Sequence, residues 1–383
     1  MRITLLRSTL RGGGVESGDM KRRRILGYGA SAAGAATLVA CSQQQGGGAV
    51  SGDLPQVSWK MATSWPQSLD TIFGGAQTIC DRVSALTDGR FTIEPYAAGE
   101  IVPGLQVLDA VQEGTVECGH SAAYYYVGKN EALAFGTTVP FGLNAQQQNA
   151  WFYHGGGLDT MHKLYADFGV ISFPAGNTGV QMGGWFKNNI QTLSDLNGLK
   201  MRIPGLGGKV MAELGVNVQV LPGGEIFLAL DRGAIDAAEF VGPYDDEKLG
   251  LQNAADYYYY PGWWEPGATL DATVNLSAWN NLPAEYQEVF KTATYESNIN
   301  MLSKYDALNG AALKTLVDGG TQLIAYSDEI LTAASEATTE LLEASASSDA
   351  IFKEVYDSWK QFRDDIRGWN KVNELGFSQF ANK

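Results

Sequence analysis

Short runs of alternating apolar and polar residues, punctuated by Pro/Gly turns and stretches of helical period, fill the first two-thirds of this chain and predict strands alternating with helices. Part of the pattern recurs. Ala110, Val111, Gly114, Val116 and Glu117 match Ala229, Leu230, Gly233, Ile235 and Asp236 at a constant shift of 119 residues. Upstream, Phe91–Ile101 echoes Val218–Ile226, with a few extra residues in the first copy. Each copy reads strand, Pro/Gly turn, amphipathic helix, glycine cap, strand. That plan predicts parallel pairing through crossover helices and a ligand crevice at the carboxyl ends of the strands. Glu117–Ser121 and Asp236–Phe240 are then equivalent strands near a hinge. The last third turns helical. Tyr286, Val289, Phe290 and Ala293 follow a Leu282-Pro283 start, with Pro283 suited to a first helical position, and predict a helix over 282–309. A short helix over 311–317, a strand beginning at Ile324, and helices over 327–344 and 351–371 complete the pattern. Phe352, Val355, Trp359, Phe362 and Ile366 share one face of the last helix. They read as core, and the surplus helix at the end also offers a homodimer contact.

The N-terminal pattern is of another kind. Lys21–Arg24 precede an apolar, small-residue run over Ile25–Ala40 that is too short to span a bilayer, the layout of an export signal over residues 1–40. Leu38, Val39, Ala40 and Cys41 form a lipoprotein cleavage box in which Cys41 becomes the lipidated first residue, and the arginine cluster allows Sec or twin-arginine export. Met20, directly before the basic cluster, is an alternative start. From Ser42 the composition turns to Gln, Gly and Ser, so 41–55 reads as lipid anchor and flexible tether. The mature protein is expected in the periplasm, touching the membrane only through the anchor.

Charge and size narrow the classes. A net charge of −15 argues against nucleic acid and against acidic lipid surfaces, so an anionic ligand must find its cations in the pocket lining. Cys80 and Cys118 lie amid apolar neighbours and read as buried thiols rather than a bridge. The chain beyond the tether exceeds what one core normally holds, so two lobes are expected.

Five blocks carry a resemblance. They are WKMATSWP at Trp59–Pro66, AAYYYVGK at Ala122–Lys129, NTGVQMGGWF at Asn177–Phe186, LKMRIPGLGG at Leu199–Gly208, and the stretch Ile235–Gly267, which sets an acid amid apolar residues beside seven Tyr and Trp residues. In this order they resemble the solute-binding proteins of tripartite ATP-independent periplasmic (TRAP) transporters, in the branch that carries 2-oxo and 2-hydroxy monocarboxylates. The resemblance implies an α/β, two-lobe periplasmic binding protein with hinge-connected mixed sheets and long bracing C-terminal helices. The expected lobes are 56–150 with 240–280 and 151–239 with 281–340, with 341–383 packing across both. It also implies TRAP membrane permease subunits as partners and a cation bound with the solute.

Residue chemistry narrows the site. Arg202 lies on the alternating strand LKMRIPG, where a charged side chain needs either a pocket or a salt bridge. A planar guanidinium fork suits a carboxylate, and the matching motif favours ligand contact. Asn177 and Gln181 are amides among glycines, where the backbone can approach a ligand closely; strand-end bonding to backbone is the alternative. The resemblance gives Gln181 an oxygen on the cation and makes Asn177 a donor to the solute. Glu239 sits among Ile235, Ala237, Ala238, Phe240 and Val241, so its charge needs a cation or Arg202. By resemblance Glu239, Gln181 and the Phe240 carbonyl are metal ligands. One certain carboxylate favours sodium; calcium would draw more oxygens from Glu265 or Asp271. Tyr124 and Tyr125, with Tyr126, offer one hydroxyl to the solute, and Trp264 a wall.

One arginine suits a monocarboxylate, pyruvate or a related 2-oxo acid ahead of lactate. A receptor for 2-hydroxy acids and a binding lobe feeding a sensor kinase are the alternatives. An enzyme is not expected: three histidines stand in no zinc spacing, no Gly-x-Ser-x-Gly elbow occurs, and the acids at 245–247 read as an exposed turn.

Overall fold

The alternating runs form eleven strands in the computed structural model, which describes residues 54–382: β1 (Val57–Thr63), β2 (Phe91–Tyr96), β3 (Cys118–Ser121), β4 (Val170–Asn177), β5 (Trp185–Phe186), β6 (Lys200–Arg202), β7 (Asn217–Gln219), β8 (Ala237–Ala238), β9 (Tyr257–Tyr260), β10 (Thr269–Asn275) and β11 (Gln322–Ala325). The export segment, Cys41 and nearly all of the tether lie outside the described residues. Two mixed sheets result, ordered β2-β1-β3-β10-β4 and β11-β9-β5-β8-β6-β7.

The internal repeat is structural. In the first sheet β1 pairs in parallel with β2 and β3, and in the second β6 pairs in parallel with β7 and β8. Helices Ile72–Leu86 and Val107–Gln112 make the crossovers of the first unit, Gly205–Glu213 and Ile226–Asp231 those of the second. Gly114 and Gly233 follow the second helix of each unit at the same φ of 73°, a conformation that disfavours any side chain. Even the pins match. Glu117 accepts the Lys60 N–H at 2.8 Å, and Asp236 accepts the Lys200 N–H at 3.1 Å.

The sheets exchange chain in a way that local pattern does not reveal. β4 falls inside the 151–239 span expected in the second lobe, yet it belongs to the first sheet, because its buried residues pair antiparallel with β10. Conversely, β9 falls inside the 240–280 span expected in the first lobe, yet it pairs with β5 and β11 of the second sheet. The chain therefore crosses between sheets at 178–184 and again at 261–268. These crossings are bonded to each other: Thr178 N–H to Ala268 O at 3.0 Å, Gln181 N–H to Glu265 O at 3.0 Å, and Gly262 N–H to Gln181 O at 3.0 Å. Gly262 is required there, since a Cβ would lie 2.5 Å from the Gln181 carbonyl oxygen.

A third connection is the helix Ala284–Asp318, which packs on β4 and the Ile72–Leu86 helix along one part and on the helix Pro243–Leu249 along another. The expected break near residue 310 does not occur. Gly310 faces open space, and the Asn309 side chain holds Tyr244 N–H at 3.0 Å, so packing outweighs the modest glycine penalty of about 1 kcal/mol. The helices Asp328–Ser348 and Ala350–Val372 start on Ser327 and Asp349 caps. Phe352, Val355, Tyr356 and Trp359 are core, whereas Phe362 and Ile366 are only half-buried. Cys80 and Cys118 are buried free thiols.

Candidate functional site

Two adjacent parallel strands end at the same level and carry the charged pair. Met201 of β6 points into the second-sheet core, so Arg202 takes the opposite face at the carboxyl end, the end at which open α/β sheets bind ligands. Glu239 directly follows β8, and its N–H bonds the Arg202 carbonyl at 3.1 Å. Both side chains are buried, at 1% and 0% exposure. Arg202 Nη1 donates to Glu239 Oε1 and, at 2.9 Å, to the Glu239 carbonyl; Nε donates to the Leu221 carbonyl at 3.0 Å. Nη2 reaches only the Tyr125 hydroxyl, at 3.4 Å. The guanidinium lies 6.0 Å from the Phe240 ring centroid.

The hinge crossings bring the remaining oxygens. Gln181 comes from the first crossing and Glu265 from the second, both buried. Gln181 Nε2 donates to Thr178 Oγ1 at 3.2 Å, which turns its oxygen away from that contact. Gln181 Oε1, Glu239 Oε2 and Glu265 Oε2 are each buried without a hydrogen-bond partner in the protein. Burial pushes Glu239 up to about 7 against the pull of Arg202, with Asp246 adding to the rise. Burial and then the Glu239 charge push Glu265 well above the carboxylate range. Burial opposes charge on Arg202 as well, but Glu239 and the two tyrosines outweigh it and keep the guanidinium protonated. Each of these two mutually repelling carboxylates, and the Gln181 amide, keeps one buried oxygen without a donor, a hard ligand suited to a cation.

Tyr124, Tyr125 and Phe240 lie beside the pair. The Tyr124 and Tyr125 rings meet edge to face at 4.9 Å, and Tyr124 packs against Gly205, whose φ of 65° brings the start of the Gly205–Glu213 helix onto it. Tyr126 is committed elsewhere, its hydroxyl bonding Ser121 and the Leu108 N–H. Trp264 is buried with a free indole N–H. A cavity of about 420 Å³ opens between the two equivalent Pro–Gly turns, lined by Pro66, Pro103, Gly104, Pro222 and Gly224 among others.

Two expectations are corrected and a third is narrowed. Asn177 is not free to reach a ligand: its NH2 donates to Gly267 O at 3.3 Å and Thr269 Oγ1 at 3.1 Å, and its oxygen holds Gly179 N–H at 2.8 Å, so it shapes the strand end. Asp271 stands in a different setting from Glu265, although its Oδ1 is also buried without a partner. Its Oδ2 takes Tyr165 and Ser172 hydroxyls at 2.8 and 2.9 Å beside a separate, water-sized cavity. Asp245 and Asp246 are buried, not on an exposed turn, because they occupy the first turn of Pro243–Leu249 where free N–H groups favour carboxylates. Asp246 collects Trp185 Nε1 at 2.9 Å and the Tyr258 hydroxyl at 2.7 Å, while Asp245 takes the Tyr305 hydroxyl at 2.6 Å. Sequence reasoning also missed the Leu221 carbonyl and Thr178, which orient Arg202 and Gln181; a backbone carbonyl leaves no residue-type signal.

Residues 61–349 match the model of the bacterial extracellular solute-binding proteins, family 7 (DctP). The chain belongs to this family. A monocarboxylate 2-oxoacid-binding periplasmic protein of Nostoc is 64% identical over 95% of this chain and 99% of its own length. A TRAP transporter solute-binding protein of Bordetella bronchiseptica, a mixed-occupancy dimer with copurified calcium and picolinate in one active site, superposes with a TM-score of 0.85 at 47% identity, covering 85% of this chain and 97% of that one. A Pseudoalteromonas atlantica TRAP periplasmic solute-binding protein with bound sodium and pyruvate gives 0.83 at 37% identity, over 85% and 99%. A Colwellia psychrerythraea counterpart with bound calcium and pyruvate gives 0.82 at 38% identity, covering 85% of this chain and 99% of its own. The protein is an extracytoplasmic TRAP solute receptor of two-lobe fold, not an enzyme.

Proposed function

We propose that this receptor captures a 2-oxo monocarboxylate of the pyruvate class together with a cation and delivers both to a TRAP membrane permease. The observation that carries the reading is the buried Arg202–Glu239 pair, together with partnerless buried oxygens on Gln181, Glu239 and Glu265. The Arg202 fork takes the solute carboxylate, with Tyr125 and the Trp264 indole N–H near it and Tyr124 as wall. Gln181, Glu239, Glu265 and the Phe240 carbonyl take the cation, which also meets the solute's oxygens. Glu265 shifts the balance from sodium to calcium, because two carboxylates, an amide, a carbonyl and solute oxygens approach the six to eight ligands of roughly 2.4 Å reach that calcium prefers. The relatives crystallised with calcium or sodium and a small carboxylate support this assignment.

One arginine leaves a second carboxylate unpaired at a cost of several kcal/mol, roughly, so dicarboxylates should lose to monocarboxylates. Lobes built on the two sheets close by bending at 178–184 and 261–268. Cys41 carries a lipid that holds the receptor at the membrane, and the exposed Trp369, Val372, Phe377 and Phe380 of the C-terminal helices form a homodimer contact, in keeping with the Bordetella dimer. Calorimetric titration with pyruvate, 2-oxobutyrate, lactate, succinate, sugars and amino acids in calcium-containing buffer tests the solute class. The 2-oxo acids should bind most tightly, and a preference for succinate or a sugar would defeat the assignment.

A further inference from the structure

We propose that Phe141 is a positioning residue for the solute pocket, held by Arg367 of the helix Ala350–Val372 so that its backbone and ring fix the second hinge crossing, on which Trp264 and Glu265 stand. The inference rests on the solute reading of that site. Phe141 and Asp88 are the two non-glycine residues with left-handed backbone among the described residues, at φ of 53° and 51°. Aspartate tolerates that region, whereas a bulky aromatic residue is strained there and stays only where its surroundings hold it. Here they do. The Phe141 N–H donates to the Trp263 carbonyl at 2.8 Å, its carbonyl accepts from Arg367 Nη2 at 2.7 Å, and its ring stacks on Trp263 with centroids 5.2 Å apart and 14° between the planes. The next residue cannot give way. The Gly142 N–H closes a turn on the Val139 carbonyl at 2.9 Å, and a Cβ at Gly142 would lie 2.8 Å from the Trp359 ring.

These contacts tie the crossing at 261–268 to the helix Ala350–Val372. Trp263 lies inside the turn that the Glu265 N–H closes on the Gly262 carbonyl at 3.1 Å, so a pin on the Trp263 carbonyl sets the orientation of the whole turn. Trp263 meets Trp264 edge to face at 4.9 Å, and Trp264 sits over Gly207, where a Cβ would lie 2.8 Å from the Trp264 Cβ. The other side of the turn is bonded to Gln181, through the Glu265 carbonyl and the Gly262 N–H at 3.0 Å each. Further along, the crossing meets the same stretch of chain again: a Cβ at Gly267 would lie 2.4 Å from the Ala145 nitrogen. A phenylalanine that only filled a core would do so from an unstrained backbone. Phe141 is half-buried, and its strain is balanced by contacts that hold the segment carrying the pocket's groups.

The test compares wild type with Phe141→Gly, Arg367→Ala and Arg367→Lys in calcium-containing buffer, with pyruvate as the probe solute. Phe141→Gly loses the ring stack but relieves the left-handed strain, so its Tm should stay close to that of wild type. Its Kd for pyruvate should nevertheless rise about 10-fold, with the change in the dissociation rate. Arg367→Ala should weaken binding about 3-fold, and Arg367→Lys, which keeps a charged donor, should recover most of that loss. Fluorine NMR of fluorotryptophan-labelled protein reads the placement itself. The Trp264 resonance, assigned by its absence from Trp264→Phe, should shift in both Phe141→Gly and Arg367→Ala before any solute is added. Wild-type affinity in these two variants, or a loss of affinity with the Trp264 resonance unmoved, would overturn the positioning role. Failure of the wild-type protein to bind any 2-oxo acid, with the Trp264 resonance shifting as expected, would instead overturn the solute reading and leave the positioning of Trp264 standing.

Discussion

Replacing Arg202 with alanine separates the two partners of the buried pair and gives two measurable losses. Arg202 supplies the one guanidinium in contact with Glu239, and its hydrogen bonds run to Leu221, the Glu239 carbonyl, the Glu239 carboxylate and Tyr125. Loss of a charge-assisted fork should cost at least about 2 kcal/mol of solute binding, roughly 30-fold in Kd. The variant should also lose stability, because Glu239 is left buried without its counter-charge, at a cost on the order of 3 kcal/mol or about 6 °C in Tm. Glu239 stands at about 7 even with Arg202 beside it; without the arginine it moves higher still. The stability deficit should therefore be larger at pH 8 than at pH 6, where the carboxyl protonates. The Arg202→Ala/Glu239→Ala double variant should regain much of the Tm and none of the affinity. Titration calorimetry with pyruvate and melting curves at the two pH values are the assays. Normal binding by Arg202→Ala, or a double variant less stable than the single, would refute the roles given to this pair.

Three further outcomes are expected. Gly262→Val should destabilise by at least roughly 1–3 kcal/mol and abolish tight binding, since a Cβ there meets the backbone oxygens of Gln181 and Met182 at 2.5 and 2.6 Å; a variant with wild-type Tm and affinity would remove the hinge role of that contact. Without cation and solute, Tm should fall as pH rises from 5 to 8. Burial lifts Asp271 and Asp246 to about 6 and Asp245 to about 7 from an ordinary 3.8, so the folded state binds protons that the unfolded chain has released, and each fully lifted acid weakens folding by on the order of 3 kcal/mol above its folded pKa; a Tm that climbs over this range contradicts the burial of these acids. Asp70, which bonds Lys248 and Tyr244 from the second sheet's side and Lys304 from the long helix, should latch the closed lobes only modestly because these groups are part-exposed. Asp70→Asn should speed solute release by less than about 5-fold and reduce the salt dependence of that rate, and an unchanged salt dependence would exclude the latch.

The Arg202–Glu239 pair was legible because its chemistry is written in residue types that local context makes costly. An arginine on an apolar strand and a glutamate in an apolar run both demand partners, and the structure joins them to each other, with Glu265 near enough to feel the Glu239 charge. The repeat was legible for a related reason: Gly114 and Gly233 mark the same left-handed position after the same helix. What escaped depends on pairing between distant segments. β4 and β9 look like strands of either lobe until β10 and β11 claim them. Asn177 looks like a ligand donor until Gly267 and Thr269 of the second crossing take its protons. Asp245 and Asp246 look like solvent-facing acids until Tyr305, Tyr258 and Trp185 close over them.

A crystal structure of the protein with calcium and pyruvate, with the ion located by anomalous scattering, tests the central assignment most directly. The account predicts the solute carboxylate on Arg202 and the ion held by Gln181 Oε1, Glu239 and Glu265 between the hinge crossings. Solute bound away from Arg202, or an ion that touches neither Glu239 nor Gln181, would contradict it.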